Sequence, residues 1–84
     1  MDDNVTILCV DDEDIPRTLR KLILQKRGYT VVTASSGKEA LALIAQGGRY
    51  LVLTDQMMPG MTGTEMIKCI KFSRPTTPVI LISG

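Results

Sequence analysis

Residues 50–63 read YLVLTDQMMPGMTG, and the pattern of this stretch sets the architecture expected for the whole chain. The apolar run Leu51–Thr54 is rich in branched side chains and too short for a typical helix, which predicts a strand buried on both faces. Pro59 and two glycines then stop the strand and turn the chain. The strand ends at Asp55, which places a carboxylate at the edge where ligands collect in open parallel sheets.

Short apolar runs of this kind recur along the chain. Besides the strand before Asp55, strands are predicted over Thr6–Val10, Thr30–Thr33 and Val79–Ile82. The run Thr30–Thr33 is short and bounded by polar residues, as suits a strand at the edge of a sheet.

Amphipathic stretches separate the strands and predict three helices. The first ends at Gly28, and the Lys and Arg residues within Arg17–Arg27 are interpreted as its solvated face. Four large side chains recur at i, i+4, i+7 and i+8, which is the spacing of a single apolar stripe. The stripe consists of Ile15, Leu19, Leu22 and Ile23.

The second and third helices each begin with a capping box. Ser36 is followed three residues later by Glu39, and Thr62 is followed in the same way by Glu65. Gly47-Gly48 stops the second helix. The apolar sides of these two helices are predicted at Ala40, Leu41 and Ile44 and at Met66, Ile67 and Ile70.

Strand and helix alternate as βαβαβαβ, and this order requires a parallel sheet with right-handed crossovers. In such a sheet, the residues that directly follow strands one, three and four meet along one edge. Asp11, Asp12, Asp55 and Ser83 are therefore expected to converge.

Each converging residue has an ordinary interpretation on its own. The acids 11–14 can cap a helix, Asp55 can form a turn, and Ser83 can be a loop hydroxyl. Together they indicate a cation-binding site, because carboxylates held close repel one another unless a cation lies among them. An all-oxygen ligand set favours a hard cation such as Mg²⁺ or Mn²⁺, whose remaining waters leave room for phosphate oxygens.

The same residues resemble the receiver domain of bacterial two-component response regulators. The resemblance rests on Asp11-Asp12 after the first strand, on DQMMPGMTG at 55–63, and on PVILISG at 78–84. These motifs fall in order at three predicted strand ends and span the whole chain. The resemblance implies an α/β, flavodoxin-like open parallel sheet with strand order 2-1-3-4 for the strands present.

The resemblance also implies roles for single residues. Asp55 is the phosphoacceptor that takes a phosphoryl group from a phosphohistidine of a sensor histidine kinase. Asp12 and Asp55 bind Mg²⁺ with the backbone carbonyl of Met57, and Asp11 acts through a bound water. Ser83 matches the switch hydroxyl that hydrogen-bonds a phosphoryl oxygen. The chain is then a phosphoacceptor protein, not an enzyme, although it takes part in its own phosphorylation and dephosphorylation.

Members of the family continue past this hydroxyl into a helix, a strand that ends in Lys, and a last helix. Residues 1–84 are therefore interpreted as one receiver domain that is incomplete at its C-terminus. The missing Lys leaves a second function open, a receiver-like dimerisation or interaction module that does not depend on phosphorylation.

Two other α/β classes fit less well. An aspartyl phosphatase requires a second acidic residue two positions after its nucleophile, and this chain has Met57 at that position. A flavin-binding domain requires a Ser/Thr/Gly-rich phosphate-binding loop after the first strand, where this chain has the acidic residues 11–14.

The composition predicts one small domain, and the lack of a membrane-span or signal-peptide pattern in this sequence predicts a cytoplasmic location. The chain is 44% hydrophobic, carries a formal net charge of +1 and contains neither Trp nor His. Its charge is not clustered, so we expect no nucleic-acid binding, and no apolar run approaches the ~18 residues that mark a membrane span. The N-terminus does not read as a signal peptide. Cys9 and Cys69 lack metal-ligand spacing and are predicted to be reduced and mostly buried.

The fourth strand, Val79–Ile82, is expected at the edge of the sheet with unpaired backbone groups. Apolar side chains around it, at Leu51, Leu53, Val79 and Leu81, would be left bare. We therefore expect a symmetric homodimer in which each chain covers this region of the other.

Overall fold

The computed structural model describes residues 5–82 of the 84-residue chain. The elements in chain order are β1 (Val5–Val10), α1 (Asp14–Lys26), β2 (Val31–Ala34), α2 (Gly37–Ala45), β3 (Arg49–Asp55), α3 (Gly63–Ser73) and β4 (Val79–Ile82). Within this range the strands form one sheet in the order β2-β1-β3-β4, and every neighbouring pair is parallel. The predicted α/β flavodoxin-like fold and its strand order are confirmed.

β3 is longer than predicted because it pairs with β1 from Arg49 to Thr54 and with β4 at Asp55. The predicted run 51–54 extends to Arg49–Asp55, and the register aligns β1 from Val5 with β3 from Arg49. Hydrogen bonds to a neighbouring strand thus continue beyond the apolar run. β2 is displaced by one residue, to Val31–Ala34, and lies at the predicted edge. β4 has the predicted bounds.

The carboxyl ends of the strands lie side by side. Val10 pairs with Thr54, and Asp55 pairs with Ile82. The backbone N–H of Asp11 donates to the carbonyl of the last β2 residue at 3.1 Å. The loops after β1 and β3 therefore leave the sheet from the same edge.

The main core lies between the sheet and the helices α2 and α3. Its side chains are buried and include four of the six predicted inward positions of the two helices; Leu41 is partly buried against the cluster, and Ile67 is partly buried. The buried cluster comprises Leu8, Val10, Ala34, Ala40, Ile44, Val52, Met58, Met66 and Ile70.

The opposite face of the sheet is less completely covered. α1 packs mainly on β1 and β2, and Leu51 and Leu53 of β3 remain half-buried. The prediction that this strand is buried on both faces is therefore wrong for the α1 side. The small cluster on this side consists of Ile7, Cys9 and Val31, with Leu24, Leu51 and Leu53 against it.

The apolar stripe of α1 faces away from the sheet. None of the thirteen residues of the helix is buried, and the four stripe residues, Ile15, Leu19, Leu22 and Ile23, are between 53% and 74% exposed. At about 100° per residue, the half-buried positions fall on the opposite side of the helix. Those positions are Pro16, Arg17, Arg20, Lys21 and Leu24.

The two predicted capping boxes differ in the structure. At α3 the box is complete, because Thr62 accepts from the backbone N–H of Glu65 while the Glu65 side chain accepts from the backbone N–H of Thr62. At α2 the hydroxyl of Ser36 accepts from the N–H of Glu39, but Glu39 bonds the backbone and hydroxyl of Ser35 instead. These bonds from Ser35 lower the pKa of the Glu39 carboxyl.

The two cysteines lie in different environments. Cys9 is buried in β1, and burial raises the pKa of its thiol, so it stays protonated and inert. Cys69 is exposed, so the prediction that both are mostly buried is wrong for this residue. Within residues 5–82, the helices lack the length and apolar character needed to cross a bilayer.

Candidate functional site

Three carboxylates at the ends of β1 and β3 come together at the carboxyl edge of the sheet. Asp11 and Asp12 follow β1, and Asp55 is the last residue of β3. One oxygen of each carboxylate lies within 4.8 Å of the others. Asp11 is buried, Asp55 is half-buried and Asp12 is exposed. The cluster is therefore accessible to solvent from the side of Asp12.

Both carboxylate oxygens of Asp11 accept hydrogen bonds. Oδ1 accepts from the backbone N–H of Glu13 at 2.9 Å, and Oδ2 accepts from Nη1 of Arg20 at 2.8 Å. Arg17 donates to the backbone carbonyl of Asp11 at 2.9 Å and to the carboxylate of Asp14 at 2.5 Å. Asp11 is only 2% exposed, and a buried carboxylate requires such partners. These bonds tie the first turns of α1 to the end of β1.

The sequence pattern missed Arg17 and Arg20 as neighbours of the cluster. Their side chains are only 18% and 30% exposed, so the interpretation as a solvated face is wrong at these two positions. The nine-residue separation between Asp11 and Arg20 corresponds to no helix or strand period. The run of acids 11–14 could have indicated these contacts. Clustered carboxylates favour neighbouring positive charges, and these two arginines are the nearest basic residues along the chain.

The loop after Asp55 is anchored to the start of α3. Oε1 of Gln56 accepts from the N–H and the hydroxyl of Thr64, both at 2.9 Å, and the N–H of Gly63 donates to the Gln56 carbonyl at 3.0 Å. A Cβ at Gly63 would lie 2.7 Å from the backbone oxygen of Asp55. Only glycine therefore lets α3 begin this close to Asp55.

The remaining predicted site residues are Met57 and Ser83. Met57 is 75% exposed, and its N–H is 3.5 Å from Oδ1 of Asp55, which is long for a hydrogen bond. The metal-binding role of its carbonyl stays a prediction. Ser83 lies outside the described residues, directly after Ile82, whose backbone pairs with Asp55.

Residues 7–84 match the family model of the response regulator receiver domain. This match covers most of the chain and includes the three carboxylates described above. The chain therefore belongs to the response regulator receiver domains, the modules through which two-component systems signal by phosphorelay.

Individual relatives agree with this assignment. The chain is 39% identical over 78 residues to the uncharacterized transcriptional regulatory protein YkoG of Bacillus subtilis, covering 93% of this chain and 34% of that protein. It is 39% identical over 83 residues to the sensor kinase CckA of Brucella abortus, covering 96% of this chain and 9% of that protein. The chain thus spans about a third or less of the length of these two relatives.

Solved structures show the same fold. The response regulator protein TrrA of Thermotoga maritima, solved in complex with Mg²⁺-BeF, is 40% identical with a TM-score of 0.87. The alignment covers 93% of this chain and 68% of that chain.

Proposed function

We propose that this receiver domain accepts a phosphoryl group on Asp55 while Mg²⁺ or Mn²⁺ is bound by the acidic cluster. The observation that carries the proposal is the approach of Asp11, Asp12 and Asp55 to within 4.8 Å at the carboxyl edge of the sheet. Negative charges held this close repel, and a bound cation removes the repulsion.

The donor set fits a hard divalent cation. All three side chains offer oxygen, and Mg²⁺ binds through one or two carboxylates while it keeps several waters. Asp12 and Asp55 are accessible for direct contact, whereas both oxygens of Asp11 already accept hydrogen bonds, which supports its action through a bound water. The backbone carbonyl of Met57 completes the proposed ligand set. The similarity to TrrA, which was solved in complex with Mg²⁺-BeF, supports the choice of Mg²⁺ as the cation.

Asp55 is the nucleophile in this proposal. Its carboxylate lies at the end of a central strand, where the backbone of Asp55 pairs with Ile82 of β4. One carboxylate oxygen attacks phosphorus while the bond from phosphorus to the donor histidine breaks, which leaves an acyl phosphate on Asp55. A bound cation would offset the negative charge of the phosphoryl oxygens. The hydroxyl of Ser83 is proposed to hydrogen-bond one of these oxygens.

The proposed phosphoryl donor is a sensor histidine kinase. The similarity to the sensor kinase CckA supports a connection between this domain and kinases of that kind. The chain is a phosphoacceptor and not a conventional enzyme, and its part in its own dephosphorylation belongs to the same proposal. The cytoplasm remains the predicted location, and no nucleic-acid-binding surface is proposed.

The second candidate function is a dimerisation module that does not require phosphorylation. Ile80 and Leu81 of β4 are 49% and 42% exposed, which supports a surface for a second copy in the predicted region. Val79 is half-buried against the main core, so it contributes little to that surface.

Phosphorylation by acetyl phosphate tests the first candidate function. We expect the intact mass of the chain to increase by one phosphoryl group in the presence of Mg²⁺ and to stay unchanged when a chelator removes the cation. The adduct should be labile in mild base, as acyl phosphates are. A stable adduct, or no adduct at any Mg²⁺ concentration, would favour the phosphorylation-independent module.

Replacing Arg20 should lower the stability of the domain and raise its affinity for Mg²⁺. In Arg20→Met the carboxylate of Asp11 loses its partner at 2.8 Å, so without cation the free energy of unfolding should fall by about 1–3 kcal/mol. Mg²⁺ affinity should rise about threefold to tenfold, because a positive charge near the cluster has been removed. Thermal unfolding with and without Mg²⁺, together with calorimetric titration, measures both effects.

Arg20→Lys is the matched control, since it keeps the charge and a donor near Asp11. It should change Mg²⁺ affinity by less than about twofold, a small difference in free energy. Weaker Mg²⁺ binding by Arg20→Met would show instead that Arg20 organises the metal site.

A further inference from the structure

Gln56, the residue after Asp55, caps the helix on the far side of the loop. The first turn of an α-helix leaves backbone N–H groups without an intrahelical acceptor. In α3 two of these groups donate to Gln56, that of Gly63 to the backbone carbonyl at 3.0 Å and that of Thr64 to Oε1 at 2.9 Å. The hydroxyl of Thr64 donates to the same Oε1 at 2.9 Å. These three hydrogen bonds form the Gln56 clamp, which joins the end of β3 to the start of α3.

The loop of residues 57–62 has a second anchor next to the clamp. The side chain of Met58 is only 7% exposed and belongs to the main core. Met57 lies between this anchor and Gln56, and its own side chain points into solvent at 75% exposure. Because both of its neighbours in the chain are held, they set the position of the Met57 backbone. The carbonyl of Met57 is the one proposed cation ligand that this loop supplies.

The start of α3 does not depend on the clamp alone. Thr62 and Glu65 complete their capping box without any contribution from Gln56. Loss of the two side-chain bonds of Gln56 should therefore loosen the loop while the helix keeps its ordinary N-terminal cap. The effect of the clamp can thus be measured in a folded chain.

We propose that Gln56 is a positioning residue for the metal site, because the clamp holds the Met57 carbonyl where it binds the cation together with Asp12 and Asp55. Gln56 does not bind the cation itself, since the two donors of Thr64 use both lone pairs of its Oε1. Residues that orient a metal ligand without touching the metal commonly change its affinity tenfold or more when replaced. This inference rests on the proposed function, because it requires a cation at the acidic cluster.

Gln56→Met tests the positioning role. Methionine is uncharged and of similar length, but it offers no strong acceptor to Thr64. We expect the Mg²⁺ affinity, measured by calorimetric titration, to fall about tenfold. The charge of the cluster is the same in this variant, so the loss cannot come from a change of net charge. Gln46→Met is the matched control, because Gln46 is exposed at the end of α2 and its substitution should leave the affinity unchanged.

Substitutions of Thr64 test the clamp from its other side. Thr64→Ser keeps both donors and should retain the parental Mg²⁺ affinity. Thr64→Val keeps only the backbone N–H, so its affinity should fall about threefold, as suits the loss of one hydrogen bond. The double variant Gln56→Met/Thr64→Val should bind Mg²⁺ as Gln56→Met does, because both substitutions break the same contact. Fully additive losses would overturn the proposal.

Hydrogen exchange in the cation-free chain separates this inference from the proposed function. The N–H of Gly63 keeps its acceptor, the backbone carbonyl, in Gln56→Met, yet it should exchange at least about threefold faster because the loop opens more often. If Gly63 exchanges faster while Mg²⁺ affinity stays parental, the clamp is only structural and this inference alone fails. If the parent chain binds no Mg²⁺, the proposed function fails and this inference with it. Circular dichroism verifies that each variant is folded.

Discussion

The Asp55→Asn variant is expected to gain no phosphoryl group from acetyl phosphate under conditions that phosphorylate the parent chain. The amide cannot act as the nucleophile, and the other two carboxylates of the cluster follow a different strand. Intact mass measured over a time course with Mg²⁺ should therefore show a complete loss of the adduct. The fold should survive, because Asp55 is half-buried and asparagine has nearly the same shape.

Asp14→Asn is the control for this experiment. Asp14 is a nearby carboxylate whose side chain is 86% exposed, and it lies outside the cluster. It should be phosphorylated at the rate of the parent chain. A mass increase that persists in Asp55→Asn, or that maps to Ser83 or a threonine, would assign the phosphoacceptor elsewhere.

Asp12→Asn should weaken Mg²⁺ binding at least about tenfold, because removing one negative charge about 4 Å from a divalent cation costs roughly 2 kcal/mol even in bulk water. Asp12 is the exposed member of the cluster, so its substitution leaves the buried contacts of Asp11 intact. Calorimetric titration with Mg²⁺, repeated with Mn²⁺, measures the change.

Two comparisons make the Asp12 result specific. Asp14→Asn should retain parental Mg²⁺ affinity, since its carboxylate pairs with Arg17 and not with the cluster. The unfolding temperature of Asp12→Asn without cation should equal or exceed that of the parent, because the repulsion within the cluster has been reduced. Unchanged Mg²⁺ affinity in Asp12→Asn would mean that the metal site has been misplaced.

The parts of the fold that the sequence predicted best are those determined by residues close together along the chain. β4 has the bounds expected from its continuous apolar run, and the capping box of α3 forms as the Thr62–Glu65 spacing indicates. The approach of Asp11, Asp12 and Asp55 follows from strand order alone, since the ends of parallel neighbouring strands meet at one edge.

The features that the sequence did not predict depend on tertiary neighbours. Periodicity identifies the stripe on α1, but it does not tell which side of a helix the remaining elements cover. The bond between Arg20 and Asp11 joins a helix to a loop and corresponds to no repeat. The full length of β3 follows from its pairing with β1 at its start and with β4 at Asp55, both of which extend past the apolar run.

The way in which α1 is held gives the domain uneven local stability. α2 and α3 each contribute fully buried side chains to the main core, whereas α1 is attached by half-buried Leu24 and by the hydrogen bonds of Arg17 and Arg20. Segments with few buried apolar contacts open at the lowest free energy. We therefore expect the amide hydrogens of α1 to exchange with solvent before those of the other helices. Because those contacts end on Asp11, each opening of α1 also releases one carboxylate of the acidic cluster.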